Sequence, residues 1–387
     1  MDNKVDVTPQ KKVEAIFPPS TIGIIGGGQL GRMMAISARQ MGYGIAVLEP
    51  GSASPLGQIS DLEINASYDD REQLTTLLKK ADVVTYEFEN VPYKAIRKLK
   101  SEGYLPQGEM PLVITSHRLR EKLAIEETGY QVAPFLAVMS KDELKVAIKR
   151  IGYPSILKTS TGGYDGKGQW VLRSEADLPE VLAIANENEY VLEGFVDFDL
   201  EVSVIVTRST AGEIAVFPVT ENIHVNQILH VSIAPARISD ALRQEAESVA
   251  RGLIEKLDFV GTLAIEMFVT KDGIVINELA PRPHNSGHWT IDGANVSQFE
   301  QHIRAICGLP LVKPEVRGHA VMVNLLGQHV DYTLKQWVKP EFSDAKLHMY
   351  GKDLMLRDRK VGHLNFVGDD WEKLEKTVDA FLENFPK

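Results

Sequence analysis

Short apolar runs alternate with helical periodicity through the first 115 residues. Continuous apolar runs predict strands, and apolar residues spaced three and four apart predict helices. In chain order the predicted elements are a strand at 21–25, a helix from Gln29, a strand at 45–48, a helix at 71–79, a strand at 83–85 and a helix at 93–100. This alternation is typical of a parallel sheet covered by helices. We therefore expect an α/β domain over residues 21–115, with a tail at 1–20 before it.

The middle of the chain changes to many short β-like runs. A helix at 117–127, a strand at 135–138 and a helix at 141–151 lead into this region, and Ser140 is placed to cap the second helix. The clearest runs that follow lie at 156–158, 169–172, 190–193, 202–207, 214–219 and 228–233. We expect them to form an α+β lid over about residues 154–235.

A patterned helix and a hairpin follow the predicted lid. An apolar stripe at spacings of three and four runs from Leu242 to Leu257 and predicts a helix with one buried face. The predicted strands at 262–269 and 273–279 are joined by Asp272-Gly273, which is a strong hairpin signal. We expect these elements to complete a central domain over residues 116–312.

The last part of the chain predicts a small β-rich domain over residues 313–387. Its predicted strands lie at 320–325, 346–349 and 362–366, and a helix is predicted at 371–382.

Size and charge restrict the class of protein. A chain of 387 residues exceeds the ~250–300 residues at which single cores stop growing, so two or three domains are expected. The formal charge of −11, without a basic cluster, opposes nucleic-acid binding. No apolar run reaches the ~18–20 residues that span a bilayer. One cysteine, Cys307, excludes an internal disulfide and fits a reducing compartment, so we expect a cytoplasmic protein.

A glycine-rich turn at residues 26–31 follows the first predicted strand and opens a helix. Backbone amides at such a turn can surround a phosphate, and Glu49 ends the next strand about 20 residues later. This pattern fits a nicotinamide-dependent dehydrogenase. It also fits glycines that serve only a tight strand-to-helix turn, and a single motif of this kind is weak evidence.

A second glycine-rich loop is more specific. Lys158 ends a predicted strand, and four glycines with an embedded lysine occupy residues 162–168 before the next strand. A strand–loop–strand arrangement is neither a Walker loop nor a Rossmann turn. Amides of a mobile flap can instead close over a triphosphate while Lys158 supplies a positive charge. We therefore expect an ATP site here.

Two acidic residues lie inside apolar strands of the predicted hairpin. Glu266 and Glu278, the latter next to Asn277, require a partner that offsets their burial. Carboxylates are preferred ligands of Mg²⁺, so the pair predicts a magnesium site, unless both acids face solvent. A zinc site at His284 and His288 is disfavoured, because Gly287 and nearby prolines break a shared helical face.

Five motifs in chain order make the sequence resemble the ATP-grasp superfamily and, within it, the 5-(carboxyamino)imidazole ribonucleotide synthetase family. They are Gly-Gly-Gly-Gln-Leu-Gly-Arg-Met at 26–33, Tyr-Glu-Phe-Glu-Asn-Val-Pro at 86–92, Gly-Gly-Tyr-Asp-Gly-Lys-Gly-Gln at 162–169, Asn-Glu-Leu-Ala-Pro-Arg-Pro-His-Asn-Ser-Gly-His-Trp-Thr at 277–290 and Lys-Val-Gly-His-Leu-Asn at 360–365. The resemblance implies a Rossmann-like first domain, a central ATP-grasp domain with a lid, and a small C-terminal domain.

The resemblance also implies a reaction of purine biosynthesis. ATP phosphorylates bicarbonate to carboxyphosphate, and the exocyclic amine of aminoimidazole ribonucleotide captures the resulting carbon dioxide. ADP and phosphate are released, Mg²⁺ is the expected ion with Mn²⁺ as a substitute, and a homodimer is expected. The glycine turn at 26–31 then holds the ribose phosphate of the substrate and not a dinucleotide.

Site residues carry over from the family by motif position. Those implied to bind ATP are Arg118, Lys158, Gly163, Tyr164, Asp165, Gly166, Lys167, Gly168, Gln169, Glu193, Gly194, Phe195, Val196, Glu201, His224, Asn277 and Glu278. Those implied to bind the other substrates are Gly27, Gly28, Gln29, Leu30, Glu89, Asp165, His284, Asn285, Ser286, Lys352, Arg359 and Lys360. The implied catalytic residues are Tyr164, Lys167, Arg282 and Lys352, and the implied metal ligands are Glu266 and Glu278.

Three other functions compete with this interpretation. Another ATP-grasp ligase, such as one acting on glycinamide ribonucleotide with formate, is disfavoured by the string at 284–290. An oxidoreductase leaves the second glycine loop unexplained. A non-catalytic module would bind ATP without releasing phosphate. One departure from the family pattern is His117, which stands before Arg118 where Asp or Asn is expected.

Overall fold

The structure is a computed structural model that describes residues 15–163, 167–184, 188–354 and 356–386. Its first unit is a parallel sheet with the strand order β3-β2-β1-β4. The elements are β1 (Thr21–Ile25), α1 (Gln29–Gln40), β2 (Gly44–Glu49), β3 (Leu62–Asn65), α2 (Arg71–Lys80), β4 (Val83–Tyr86) and α3 (Tyr93–Glu102). Every strand and helix predicted here is confirmed. The prediction missed β3, because this short strand buries only Ile64 and so has little apolar pattern.

The second unit is a small antiparallel sheet with the order β5-β8-β6-β7. Its elements and the two helices before it are α4 (Met110–Thr115), α5 (Arg118–Glu127), β5 (Phe135–Val138), α6 (Lys141–Ile151), β6 (Ser155–Thr159), β7 (Gln169–Leu172), α7 (Leu178–Ile184) and β8 (Tyr190–Gly194). The predicted cap is confirmed, since Ser140 Oγ accepts the N–H of Glu143. Leu144, Leu157 and Leu192 are fully buried in the core of this unit.

The remaining strands form one nine-stranded sheet, ordered β14-β13-β9-β11-β12-β15-β17-β16, with β10 paired to β9. Its central elements are β9 (Leu200–Arg208), β10 (Ile214–Val216), β11 (Thr220–Val225), β12 (Ile228–Ala234), α8 (Asp240–Lys256), β13 (Gly261–Thr270) and β14 (Gly273–Ala280). The segment 154–235 therefore supplies strands to two sheets. The strand predicted at 214–219 ends at Val216, because Pro218 has no N–H to donate.

The C-terminal strands extend the same large sheet. The elements are α9 (Thr290–Gly293), α10 (Gln298–Ile306), β15 (His319–Leu326), α11 (Val330–Trp337), β16 (Lys346–Met349), β17 (Lys360–Gly368) and α12 (Trp371–Leu382). β15 pairs with β12, so the terminal unit continues the central one without a break in hydrogen bonding. Among the described residues, no helix has the length and apolarity that crossing a membrane requires.

One hydrophobic core joins the first unit to the rest of the molecule. Side chains of α1, β1 and β2 pack with Phe299 and Ile303 of α10 and with Tyr350, which follows β16. All three are almost completely buried. The carboxyl ends of β1 and β4 are thereby held against the central and terminal units, and the predicted site residues lie at this junction.

Candidate active site

The glycine turn before α1 is occupied by two carboxylates of the protein itself. Gly27 N–H donates to Glu49 Oε2 at 2.8 Å, and Gly31 N–H donates to Glu87 Oε2 at 2.7 Å. Gly28 N–H also donates to Glu87. Burial raises the pKa of Glu87, although these N–H groups oppose the shift. These amides therefore donate to carboxylates of the protein itself, and the contact of this turn with a substrate phosphate stays a prediction.

A lysine from the terminal unit reaches the same turn. Lys352 Nζ donates to Gln29 Oε1, and Gln58 Nε2 donates to the carbonyl of Gly351 at 2.8 Å. Burial, reinforced by the positive charge of Arg359, lowers the pKa of Lys352 to about 8. Burial disfavours the charged form of a lysine, so an anionic ligand beside Lys352 would stabilise its ammonium group.

Lys158, predicted from its place at the end of a strand, lies in a buried charge cluster. Lys158 Nζ is 2.8 Å from Glu193 Oε2, and Lys122 Nζ of α5 is 3.2 Å from the same oxygen. Burial lowers the pKa of Lys158, whereas the two ammonium groups hold the pKa of Glu193 below its usual value against the effect of burial. The cluster therefore carries two cations and one anion.

Arg118 connects this cluster to the hairpin of β13 and β14. The backbone N–H of Arg118 donates to the carbonyl of Ser160 at 2.8 Å, and Arg118 Nη1 lies 3.5 Å from Glu278 Oε2. His117 is the N-cap of α5 but forms no side-chain capping bond, and its Nε2 is 3.3 Å from Glu189 Oε2. His117 stands where Asp or Asn is expected, and its side chain does not cap α5. The Arg118 guanidinium nevertheless lies beside Glu278, the predicted metal ligand.

The second glycine loop lies between β6 and β7, as predicted for a flap. Gly162 and Gly168 have φ of +76° and +74°, a backbone conformation that favours glycine. The predictions for Tyr164, Asp165 and Gly166 lie outside the described residues. Lys167 is exposed, and a Cβ on Gly163 would approach the Lys167 carbonyl oxygen to 2.9 Å.

The end of the loop is fixed to neighbouring strands. Thr159 N–H donates to the carbonyl of Gly168 at 2.8 Å, and Gln169 Nε2 donates to Gln227 Oε1 at 2.6 Å. Lys158 stands opposite Gln169 in the β6–β7 register. The loop therefore starts and ends beside the Lys158 cluster.

The segment 193–196, which the resemblance implies to bind ATP, begins at the end of β8. Gly194 N–H donates to the Pro134 carbonyl at 2.8 Å and Phe195 N–H to the Pro154 carbonyl at 3.2 Å, so both amides have protein acceptors. The Phe195 side chain is 48% exposed, and Val196 is half-buried. An apolar surface is thus available beside Glu193.

Glu201 and His224 face each other on β9 and β11. His224 Nδ1 is 2.9 Å from Glu201 Oε2. Burial alone would lower the pKa of His224, but the hydrogen bond and charge of Glu201 outweigh burial and raise it. The two predicted ATP-binding side chains therefore lie side by side.

Glu266 and Glu278 stand opposite each other in the β13–β14 register, as predicted for a metal pair. The register shifts immediately after them because Asn277 forms a β-bulge, which is a common way to redirect side chains next to a site. Burial and the charge of Glu278 raise the pKa of Glu266 to about 7. A divalent cation beside these two residues would offset the burial and the repulsion that disfavour the charged form of Glu266.

Protein side chains alone do not complete a metal cage here. In the parts of the chain that the structure describes, no three His, Cys, Asp or Glu side chains are arranged to hold a metal ion. The remaining ligands of a cation at Glu266 and Glu278 would have to come from the substrate and from water.

The string after β14 supplies groups on the other side of the cleft. Arg282 Nη2 is 2.5 Å from Glu89 Oε1, and His284 Nε2 is 3.4 Å from Glu266 Oε1. Burial, reinforced by Arg282, holds the pKa of His284 well below its usual range, so the ring is neutral. The buried amide of Asn285 has no protein partner at either its nitrogen or its oxygen, which is unusual and fits a substrate contact.

Two residues of this site were missed by the sequence analysis. Lys122 belongs to a run of charged residues on α5 that is typical of an exposed face, yet it is 1% exposed. Its spacing of four from Arg118 was the available signal, because i and i+4 share a helix face. Glu87 lies within a recognised motif, but its bond to the glycine turn depends on a packing of β1 against β4 that the motif does not contain.

The chain matches three protein-family models in order along its length. These describe a ribonucleotide synthetase preATP-grasp domain at residues 20–111, an ATP-grasp domain at 123–299 and a phosphoribosylaminoimidazole carboxylase C-terminal domain at 320–377.

Curated relatives match almost the whole chain. The N5-carboxyaminoimidazole ribonucleotide synthase of Bacillus subtilis (strain 168) is 50% identical over 363 residues, covering 92% of this chain and 95% of that protein. The enzyme of the same name from Staphylococcus saprophyticus is 42% identical, with coverage of 95% and 97%.

Solved structures give the same result. An N5-carboxyaminoimidazole ribonucleotide synthetase in complex with ADP has a TM-score of 0.92 and 53% identity, covering 95% of this chain and 97% of that one. The N5-carboxyaminoimidazole synthase of Aspergillus clavatus, in complex with ADP and 5-aminoimidazole ribonucleotide, has a TM-score of 0.87 and 30% identity, with coverage of 95% and 99%.

Proposed function

This chain belongs to the N5-carboxyaminoimidazole ribonucleotide synthase family, and from that premise we propose that it carboxylates the exocyclic amine of 5-aminoimidazole ribonucleotide with ATP and bicarbonate. The γ-phosphoryl group of ATP passes to a bicarbonate oxygen, giving carboxyphosphate and ADP. Carboxyphosphate then breaks down to phosphate and carbon dioxide, and the amine adds to the carbon dioxide with loss of a proton.

The observation that carries this proposal is a single polar cleft with two chemically different walls. Arg118 and Glu278 line it from the side that the family resemblance assigns to ATP, and Glu89 and Arg282 line it from the side assigned to the imidazole substrate. Two substrates that share a cleft can react without an intermediate leaving the protein.

On the ATP side, electrostatics provide most of the binding. We assign the phosphates to Lys158, Arg118 and the flap at 163–169, the base to residues 193–196, and the ribose to Glu201 with His224 nearby. The support is the buried cluster in which Lys122 and Lys158 share one carboxylate, because its excess positive charge favours a polyanion.

We assign the divalent cation to Glu266 and Glu278, with Asn277 beside them. Mg²⁺ is the proposed ion and Mn²⁺ a substitute, since both prefer oxygen ligands. When bound, the cation supplies charge neutralisation to the ATP phosphates.

On the imidazole side, the substrate phosphate is assigned to the turn at Gln29 and Leu30, near Gly27 and Gly28, together with Lys352. The support is the hydrogen bond between Lys352 and Gln29, which places an ammonium group on a turn that already stabilises carboxylates.

The remaining groups on this side are assigned to bicarbonate and the imidazole. They are Glu89, Arg282, His284, Asn285, Ser286, Arg359 and Lys360. The positive charge of Lys360 contributes to the lowered pKa of His284, which supports its position on this side of the cleft.

The flap is proposed to close over the reacting groups. Carboxyphosphate is easily hydrolysed, so excluding water protects it. Tyr164, Asp165 and Lys167 are proposed to reach bicarbonate and the imidazole from the flap, in addition to the contacts of its amides with ATP.

We further propose a cytoplasmic homodimer, divided into a tail at 1–20, a Rossmann-like domain at 21–115, an ATP-grasp domain at 116–312 and a C-terminal domain at 313–387. The resemblance to the family supports this organisation. Light scattering during size-exclusion chromatography measures the mass of the assembly directly, and a monomeric mass of 42.9 kDa would contradict the dimer.

Phosphate release with each substrate omitted in turn tests the proposed function. We expect rapid release only when ATP, bicarbonate and 5-aminoimidazole ribonucleotide are all present. Lys158→Ala should lower this rate at least ~100-fold, as expected for the loss of a charge that stabilises the transferred phosphoryl group. Lys271→Ala, in the exposed turn between β13 and β14, is the matched control and should be unchanged.

The other outcomes identify the competing functions. ATP binding without phosphate release in any mixture would indicate a nucleotide-binding module. Release that depends on a different amine and acid, and not on the imidazole, would indicate another ATP-grasp ligase.

A further inference from the structure

A line of buried polar side chains crosses three neighbouring strands of the large sheet, β9, β11 and β12. Ser203 on β9 and Ser232 on β12 are 0% exposed, and Asn222 on β11, between them, is 6% exposed. In the register of the sheet Ser203 stands opposite Glu266, and Asn222 stands opposite Ser232. We call Ser203, Asn222 and Ser232 the polar ladder. Most of their neighbours on these strands are buried apolar residues.

Each hydrogen bond of the polar ladder runs in one direction, towards the active site. Ser232 Oγ donates to Asn222 Oδ1 at 2.9 Å, and Asn222 Nδ2 donates to Ser203 Oγ at 2.9 Å. Ser203 Oγ then donates to Ser286 Oγ at 2.7 Å. Asn222 fixes the direction of the first two bonds, because its amide nitrogen only donates and its amide oxygen only accepts; Ser203 Oγ, which accepts from Asn222, keeps its own hydrogen for Ser286.

The ladder ends on the ring of His284. Since the Ser286 hydroxyl accepts from Ser203, its own hydrogen is directed to His284 Nδ1, 2.9 Å away. The backbone N–H of Ser286 donates to the same ring nitrogen at 3.3 Å. A nitrogen that accepts two hydrogen bonds carries no hydrogen, so the hydrogen of the neutral ring is on Nε2, the atom that lies 3.4 Å from Glu266 Oε1.

A second pair of buried hydroxyl groups, which shares only β9 with the polar ladder, shows that burial alone does not require such a chain. Thr207 Oγ1 of β9 and Thr262 Oγ1 of β13 are 3.0 Å apart, and both residues are buried. These two hydroxyl groups hydrogen-bond to each other across two neighbouring strands. The polar ladder instead spans three strands and ends at a residue of the active site.

We propose that Ser203, Asn222 and Ser232 are positioning residues that hold His284 as the Nε2–H tautomer, with that hydrogen directed towards Glu266 and the bicarbonate side of the cleft. This inference rests on the proposed function for the role of His284 in the reaction. The tautomer of His284, and the hydrogen bonds that set it, do not depend on a bound substrate.

Nitrogen NMR of the ligand-free protein labelled with ¹⁵N-histidine tests the tautomer. The chain contains 10 histidines, and the spectrum of His284→Gln identifies the His284 signals. In the wild-type protein we expect Nδ1 to have the shift of an unprotonated nitrogen and Nε2 that of a protonated one. In Ser203→Ala the Ser286 hydroxyl is free to rotate, and only the longer bond from the Ser286 backbone N–H, at 3.3 Å, still favours an unprotonated Nδ1. We therefore expect part of the His284 population to shift to the Nδ1–H tautomer.

Kinetics and a matched control separate positioning from simple stabilisation. Ser203→Ala should lower kcat about fivefold to tenfold, the size of one hydrogen bond, and leave the KM for ATP within about twofold. Ser232→Ala, at the far end of the ladder, should shift both readouts in the same direction by less. Thr207→Val also deletes one buried hydroxyl of β9 and should lower the melting temperature without changing the His284 spectrum or kcat.

The results distinguish this inference from the proposed function. Wild-type His284 shifts and kcat in both Ser203→Ala and Ser232→Ala would overturn the positioning role. A wild-type protein that releases no phosphate in response to the imidazole would instead overturn the proposed function, whatever the tautomer.

Discussion

Glu193 neutralises only one of the two ammonium groups that contact it. Lys122 and Lys158 share its carboxylate within 3.2 Å, and both are almost completely buried. Removing charged groups from water is costly, and an unbalanced charge in such a place is retained where a ligand completes the balance. The polyphosphate of ATP is an anion of the required kind.

Lys352 gives a pH dependence to substrate binding. Its pKa of about 8 means that the ammonium group is charged below that pH and is lost as the pH rises through it. The substrate phosphate remains a dianion over this range, and under the proposed assignment it binds the charged lysine. We therefore expect the KM for 5-aminoimidazole ribonucleotide to rise about fivefold to tenfold between about pH 7 and pH 9.

Lys352→Arg is the control for this prediction, because the guanidinium stays charged over the same range. Its KM should vary little with pH. An equally flat profile in the wild-type enzyme would show that Lys352 does not bind the phosphate, or that another cation replaces it.

Residues that carry their own sequence signal were predictable. Lys158 ends a strand before a glycine loop, and Glu266 and Glu278 interrupt apolar strands, so each departs from its surroundings. Lys122 and Ser203 carry no such signal. A lysine on a charged helix and a serine in a strand are ordinary, and only the packing of the fold shows what they contact. Their positions depend on long-range contacts that no local pattern contains.

At the scale of elements, the hairpin of β13 and β14 places Glu266 and Glu278, the proposed metal ligands, opposite each other. Its turn was predicted from Asp272-Gly273, and the structure confirms an antiparallel pair with Glu266 opposite Glu278. The bulge at Asn277 was not predicted, because a single extra residue in one strand leaves the apolar alternation almost unchanged.

Gly273 allows this hairpin to turn. Its φ is +115°, and a Cβ there would lie 2.9 Å from Glu245 Oε1. Gly273→Ala should therefore lower the free energy of unfolding by about 1–2 kcal/mol through backbone strain. Urea denaturation measures the change, with Lys271→Ala in the same turn as the control. An unchanged midpoint in Gly273→Ala would show that the turn relaxes without strain.

Strands with polar faces were the elements that sequence patterns missed. β11 was not predicted as a separate strand, because Glu221 and Asn222 are buried in it and interrupt its apolar pattern. Glu221 is held by Arg237, whose Nη2 is 2.5 Å from it, and Asn222 belongs to the polar ladder. β11 was therefore not predicted, because these two buried residues are polar and are held by partners that the sequence pattern does not reveal.

At the scale of the molecule, three units that are distant in sequence contribute residues to the proposed active site. Lys352 and Gln29 are 323 residues apart and hydrogen-bonded, and Arg282 of the central unit pairs with Glu89 of the first. Periodicity predicted the separate elements but could not predict that β15 would join β12 in one sheet. The resemblance to a family supplied the expectation that the units meet.

Isotope transfer from bicarbonate to phosphate tests the central step of the reaction most directly. If the γ-phosphoryl group passes to a bicarbonate oxygen, that oxygen remains with phosphorus when carboxyphosphate breaks down. With ¹⁸O-bicarbonate, 5-aminoimidazole ribonucleotide and ATP, mass spectrometry of the released phosphate should show one labelled oxygen per turnover. Phosphate that takes its new oxygen from water would contradict phosphorylation of bicarbonate and identify the activity as ATP hydrolysis.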